Sequence, residues 1–289
     1  MKKKSVKYIQ SLKQNGEKIS ALTAYDYSTA KLIDDAGIDM IIVGDSVANV
    51  VLGYSDINKV SMNEMLIFTS AVVRGVEKAL VVCDMPFMSY QKSIEDAMEN
   101  IGSAIRAGAN AVKIEGSGEY VESVIKRCSE VGIPVVSHIG FTPQSINAIG
   151  GHYIQGKTCD AAVKLLDKAK RLEASGAFAV VLELMPEECA KYITENISIP
   201  TISCGAGRFC DGQVLVSDDI FGKFTGHKPT FARRYGDMQS LITDCTKNYI
   251  DDVKSGNFPS ENEIFHFGEC GKPPKLTNFG GFSNPTLCV

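Results

Sequence analysis

One short join recurs along the chain: a glycine that closes a helix-like segment and opens an apolar run. It is written "AGID" at 36–39, "AGAN" at 107–110, "VGIP" at 131–134 and "SGAF" at 175–178. Glycine just past a helix takes the left-handed conformation that other residues resist, and the chain can then turn into a strand. The runs that follow, at 38–43, 111–115, 133–138 and 177–183, are rich in Val and Ile and apolar at nearly every position. That is the pattern of parallel strands covered on both faces, where alternation disappears. Segments 19–25, 79–84 and 199–203 are of the same kind, and 213–216 is a weaker last member.

The segments between them predict helices. The stretch 93–108 opens on Ser93, a cap residue, with Glu95 and Asp96 in the first turn. Segments 117–131 and 158–175 carry apolar residues at three- and four-residue spacing, with Lys and Glu on the other face. Strand and helix thus alternate about seven or eight times, which predicts an α/β fold with a parallel sheet and favours a closed (β/α)8 TIM barrel over an open sheet. No linker composition interrupts the run, so 1–266 is read as one barrel domain. The stretch 267–289, rich in Gly, Pro and Asn without periodicity, is read as an irregular tail.

Charge and cysteine content narrow the function classes. Thirty Lys and Arg are outweighed by 34 Asp and Glu, and only Lys2, Lys3 and Lys4 form a basic run, which argues against nucleic acid and anionic membranes as partners. Polar residues follow that run where the apolar core of a signal peptide would stand, and no apolar stretch approaches the ~18 residues of a spanning helix. Nine cysteines, odd in number and without CxxC, suit reduced thiols in a cytoplasmic enzyme.

In a barrel of this type the chemistry sits at the carboxyl ends of the strands. Those ends read Tyr25-Asp26, Asp45-Ser46, Asp84, Lys113 and Glu115, His138, Glu183, then Gly205-Ala206-Gly207. Taken singly, each is equally a solvated loop residue or a helix cap; together they place charge on one rim, which stability alone does not call for. Lys113 and Glu115 are two apart and project to one side of their strand, and Glu183 shares a side with Val181 and Ala179. Those apolar neighbours are expected to desolvate Glu183 and suit it to general-base work. Asp45, Asp84 and Glu115 offer hard oxygens from three strands. With only four histidines (His138, His152, His227, His266) and no HExxH, the natural ion is Mg2+ rather than zinc. A tight turn accounts for Gly205-Ala206-Gly207 as well as an anion cradle does.

These residues lie in blocks that resemble the ketopantoate (3-methyl-2-oxobutanoate) hydroxymethyltransferase family. The blocks are "TAYDYSTAK" (23–31), "VGDS" (43–46), "VVLGY" (50–54), "AVVRG" (71–75), "DMPFMSY" (84–90), "AGANAVKIEG" (107–116), "HIGFTPQS" (138–145), "LELMP" (182–186) and "GAGRFCDGQVLVSDDIFG" (205–222). The resemblance implies a TIM barrel of the phosphoenolpyruvate/pyruvate-binding type, with Mg2+ and 5,10-methylenetetrahydrofolate as co-substrate. It further implies hydroxymethyl transfer to 3-methyl-2-oxobutanoate in pantothenate and coenzyme A biosynthesis, and a homo-oligomer, decameric in many bacterial members. By that likeness Asp45 and Asp84 hold the metal with Glu115 in its shell, and Glu183 transfers the proton. Asp45, Ser46, Asp84, Lys113, His138 and Tyr25 contact the 2-oxo acid. Val47-Ala48-Asn49 stands where the family usually continues Leu-Gly-Met, and Ser55–Lys59 replaces an Asp-Ser-Thr and proline-containing stretch, in the loop expected to cover the substrate. Two other readings share the constellation: a related Mg2+-dependent barrel enzyme, a carbon–carbon lyase or phosphonomutase, and a non-catalytic paralogue.

Overall fold

In the computed structural model, which describes residues 3–226 and 228–266, the apolar runs become eight strands. They are β1 (Ile19–Thr23), β2 (Met40–Val43), β3 (Leu80–Asp84), β4 (Ala111–Glu115), β5 (Val135–Gly140), β6 (Ala179–Glu183), β7 (Thr201–Cys204) and β8 (Gly212–Leu215). Each pairs in parallel with the next, and β8 pairs back onto β1, so the sheet closes in sequence order. The fold is the (β/α)8 barrel that the alternation predicts.

The joins work as their glycines require. Gly37, Gly108, Gly132 and Gly176 hold φ of +97°, +105°, +82° and +104°, a region closed to most side chains. The helix Ile94–Arg106 begins where Ser93 Oγ accepts the Asp96 N–H at 3.1 Å. The helices Glu119–Glu130 and Cys159–Ala174 fill the other two predicted segments.

Strand alternation sorts side chains into two cores. Ala21, Met40, Ile42, Val82, Val136 and Val181 fill the barrel interior. Ile41, Val43, Val81, Val112, Ile114 and Val180 pack outward against the helices. Burying each of the Val, Ile and Met side chains contributes about 1.5–3 kcal/mol. The helix Val6–Gln14 closes the amino end, where Ile9 and Leu12 join the interior cluster. Its Lys13 Nζ donates to Ile199 O at 3.1 Å and Asp211 Oδ2 at 2.9 Å, just ahead of β7 and β8. With that end covered, the carboxyl ends of the strands form the open face.

The chain divides into two compact units, Met1–Gln239 and Ser240–Val289, with the break between Gln239 and Ser240. Nothing in the composition marks it, because the helix Met238–Ser255 is an ordinary amphipathic segment that buries no side chain in the described structure. The tail at 267–289 and His227 lie outside the described residues. Among the described residues no helix is long and apolar enough to cross a membrane, and the seven described cysteines are free thiols.

Candidate active site

The interior alternation continues to the top of the barrel, but there the side chains change from apolar to ionisable. On β3, Leu80 and Val82 lead to Asp84; on β4, Ala111 leads to Lys113 and Glu115; on β5, Val136 leads to His138; on β6, Ala179 and Val181 lead to Glu183. Register then decides the partners. Asp84 stands opposite Lys113 and Glu115 opposite His138, so each pair shares one side of the sheet. Lys113 Nζ reaches Asp84 Oδ2 at 2.7 Å in a buried ion pair. His138 Nδ1 lies 3.4 Å from Glu115 Oε2 and its Nε2 3.2 Å from Glu183 Oε2. Both contacts are at ion-pair distance without hydrogen-bond alignment, and neither ring nitrogen has a hydrogen-bond partner.

Burial and charge act in opposite senses on these groups. Burial raises the Asp84 and Asp45 carboxyls above the ordinary range, with the Lys113 ammonium opposing it. Burial alone would lower Lys113; the charges of Asp84 and Asp45 outweigh it, so the ammonium is held above its usual value. For His138, burial again favours the neutral form, but Glu115 and Glu183 prevail and push it up to about 9, leaving an imidazolium at neutral pH.

Asp45 and Ser46 enter the site through a closely packed turn at Gly44. A Cβ at Gly44 would lie 2.7 Å from Ser46 Oγ and 3.3 Å from Thr23 Cγ2. The turn brings the Asp45 N–H to Asp84 Oδ2 at 3.2 Å and Ser46 Oγ to the buried Tyr25 hydroxyl at 2.8 Å. On the other side, Gly140 lets β5 approach β6, since a Cβ there would meet Glu183 O at 2.2 Å. Leu184, next to Glu183, is one of two non-glycine residues with positive φ (+48°) among the described residues.

Most of the predicted residues therefore meet at one mouth. Two expectations change. Val181 and Ala179 lie below Glu183 in the interior core, and its carboxylate faces His138 while keeping 19% exposure, so an ion partner takes the place of the apolar surround. Asp45, Asp84 and Glu115 do not form one cage: among the described residues no group of three or more His, Cys, Asp or Glu side chains is arranged to hold a metal. Glu115 is instead tied at Oε1 to the backbone N–H of Gln144, at 2.8 Å, and faces His138. Asp45 and Asp84 remain as a pair, and Asp84 Oδ1 is buried with no hydrogen-bond partner. A small divalent cation fits that acceptor, because such an ion needs few carboxylates and completes its shell with water and substrate oxygens. Gly205-Ala206-Gly207 is a packed turn: the Ala206 N–H donates to Ser203 Oγ at 2.9 Å, and a Cβ at Gly207 would meet Glu187.

Two residues that sequence reasoning gave no role stand in the site: Gln144, in the 3-10 turn Pro143–Ser145, and Tyr90, both buried. The signal for Gln144 is its place in "GFTPQS", directly after the His138 strand. Beside this turn a cleft of about 460 Å3 lies between the 49–57 and 143–152 segments, lined by Asn49, Asp56, Ile57, Asn147 and His152 among others.

A family model described as ketopantoate hydroxymethyltransferase matches residues 3–261. The chain belongs to that family. Relatives named 3-methyl-2-oxobutanoate hydroxymethyltransferase include one from Clostridium novyi, 50% identical over 92% of this chain and 97% of its own length. Another, from Geobacter metallireducens, is 50% identical over 91% of this chain and 99% of its own length. Among solved structures, phosphonopyruvate hydrolase in complex with oxalate and Mg2+ superposes with a TM-score of 0.60 at 14% identity, covering 91% of this chain and 93% of that one. A 2,3-dimethylmalate lyase of the PEP mutase/isocitrate lyase superfamily gives 0.59 at 12% identity, covering 92% and 89%. At that identity the likeness is one of fold, and it is the (β/α)8 barrel that this ketopantoate hydroxymethyltransferase family member shares. The site residues described above all fall inside the family match.

Proposed function

We propose that the protein transfers a hydroxymethyl group from 5,10-methylenetetrahydrofolate to 3-methyl-2-oxobutanoate, giving 2-dehydropantoate for pantothenate and coenzyme A biosynthesis. One observation carries this reading: half of the residues are shared with relatives of that name over nine-tenths of the chain. The geometry supports a role for each site residue.

Asp45 and Asp84 would hold Mg2+, which when bound supplies Lewis-acid polarisation of a 2-oxo acid's carboxylate and carbonyl oxygens. Lys113, fixed by Asp84 at 2.7 Å, presents a permanent positive charge to the acid and to the oxyanion that forms at C2. Ser46, oriented by the Tyr25 hydroxyl, offers a hydrogen bond to the same anion. Glu183 is the base. Its carboxylate is partly exposed at the mouth, and the His138 imidazolium lies 3.2 Å away from one oxygen. It takes the proton from C3 of the oxo acid. Water adds to the methylene carbon of the folate and both carbon–nitrogen bonds break; each nitrogen keeps its electron pair and gains one water proton, so tetrahydrofolate leaves a carbon at the formaldehyde level. The C3 carbanion bonds to that carbon, and its oxygen, which came from water, takes up the proton removed from C3 as the product's hydroxyl.

We further propose that the protein acts as a homo-oligomer in the cytoplasm, a decamer by family likeness. In support, the helix Met238–Ser255 exposes Leu241, Ile242, Tyr249, Ile250 and Val253. Light scattering tests the assembly. For the activity, a panel of 2-oxo acids is assayed with methylenetetrahydrofolate, with and without EDTA. Formation of 2-dehydropantoate that stops on chelation and returns with Mg2+ is expected. Turnover undiminished in EDTA would refute the metal role, and cleavage of an oxo acid without one-carbon transfer would favour a lyase.

A further inference from the structure

Every polar atom of Gln144 is hydrogen-bonded. Its side-chain nitrogen donates to Asp45 Oδ2 and to Met85 O, both at 2.9 Å. Its side-chain oxygen accepts from Gln91 Nε2 at 3.2 Å and, at 3.1 Å, shares the single Tyr90 hydroxyl proton with Glu115 O at 3.0 Å. The backbone N–H donates to Glu115 Oε1 at 2.8 Å, and the backbone oxygen accepts from Asn58 Nδ2 at 3.0 Å. A primary amide has two donors and two acceptor sites, so the side chain is saturated while only 6% of the residue is exposed. Its orientation is also fixed. Rotated by half a turn, the amide oxygen would stand against a carboxylate and a carbonyl, three acceptors together.

We infer that Gln144 is a positioning residue that sets the Asp45 and Glu115 carboxylates relative to each other. The two acids come from different strand ends and carry like charge, so in a buried site they separate unless donors hold them. Gln144 holds one with its side chain and the other with its backbone. Among the described residues the hydrogen bond to the Asp45 carboxylate comes from Gln144 alone. Through Asn58 the same residue also anchors the 47–59 segment, the stretch where this chain departs from the family pattern. A change in that segment is thereby transmitted to the acids without touching them.

The inference rests on the reading of Asp45 and Asp84 as cation holders, and its test separates the two. Metal-free protein is titrated with Mn2+ and the free ion is read by electron paramagnetic resonance. For Gln144→Met, of similar length but without donors, the Mn2+ Kd is expected to rise by about tenfold or more, the effect of removing a partner that orients a metal ligand. At saturating metal, kcat should fall at least about tenfold while KM for the oxo acid changes by less than about threefold, a split that loss of general packing would not give. A folded Gln144→Met protein with Mn2+ affinity and kcat within twofold of the parent overturns the inference. Should this variant not melt cooperatively, Tyr90→Phe decides. Losing the O–H that the amide oxygen shares with Glu115 O should weaken Mn2+ binding by about two- to fivefold, and parent-like binding overturns the inference. A parent protein that takes up no Mn2+ refutes the metal reading instead. The role of Gln144 then stands on the kcat loss in Gln144→Met and falls if kcat is unchanged.

Discussion

The Lys113–Asp84 pair gives the sharpest quantitative expectation. Lys113→Met removes the ammonium 2.7 Å from Asp84 Oδ2 and leaves a carboxylate whose side chain is only 5% exposed. At an effective dielectric of ~20 the direct attraction at that distance is about 6 kcal/mol. Desolvation of both ions offsets part of it, and removing one partner of a buried pair typically costs about 3–5 kcal/mol. For a chain of this size each kcal/mol moves Tm by about 2–4 °C, so a fall of roughly 6–20 °C is expected in calorimetry of metal-free protein. The loss depends on pH with a definite sign. Burial raises Asp84 above its ordinary value of 3.8, and Lys113 opposes that rise. Without Lys113 the folded state holds the Asp84 proton to higher pH than the unfolded state does. The folded state then binds more protons, and stability falls as pH climbs through and beyond the carboxylate range. The Tm deficit of the variant should therefore be smaller at pH 5 than at pH 8. Adding Asp84→Asn to Lys113→Met should recover most of the loss, because no uncompensated charge remains in that pair. A Lys113→Met protein within 2 °C of the parent at pH 8 would show that the pair is solvated and the reasoning wrong.

Other expectations follow from the same geometry. Glu183→Gln should leave Mn2+ and oxo-acid binding near parent values while reducing deuterium exchange at C3 of the oxo acid by about 10²–10⁴-fold; undiminished exchange removes Glu183 from the base role. Gly140→Ala places a methyl against Glu183 O at a φ of +101°, so both Tm and kcat should drop, and a parent-like kcat would show that β5 and β6 can part without moving the base. The His138 ring, clamped between Glu115 and Glu183, should titrate near 9 in nitrogen NMR of the metal-free protein. Because that value lies above the ordinary 6.5, its contribution to stability is complete below 6.5 and is lost as pH rises through 9. A ring midpoint below 7 would deny the clamp.

The 47–59 segment touches several of these points. Its 3-10 turn Ile57–Lys59 begins where Asp56 Oδ1 accepts the Asn58 N–H at 2.9 Å, and the Asn58 amide then reaches across to Gln144 O. Asn49, Asp56 and Ile57 of the same segment line the cleft beside the site. Substitutions here would alter the rim of the mouth and the support of Gln144 together, while Asp84, Lys113 and Glu183 stay where the strands put them.

The barrel was legible in the sequence because its signals are local. Glycine joins, the cap at Ser93 and continuous apolar runs each depend on a few neighbouring residues, and the side of a strand that Lys113 and Glu115 share follows from a period of two. The same locality made the ionisable rim visible as a set of strand ends. Partners were a different matter. That His138 lies between Glu115 and Glu183, and not against apolar surface, depends on how β4, β5 and β6 align. The alignment comes from hydrogen-bond register and the closure of the sheet. Gln144 lies 99 residues from Asp45 and gave no periodic signal, because a 3-10 turn after a strand has none. Its role depends on the path of a loop through space. The sequence by itself determined which groups stand at the mouth; only the tertiary structure decided which of them touch, because contacts between segments distant in the chain are set by register and loop trajectory, which no local pattern encodes.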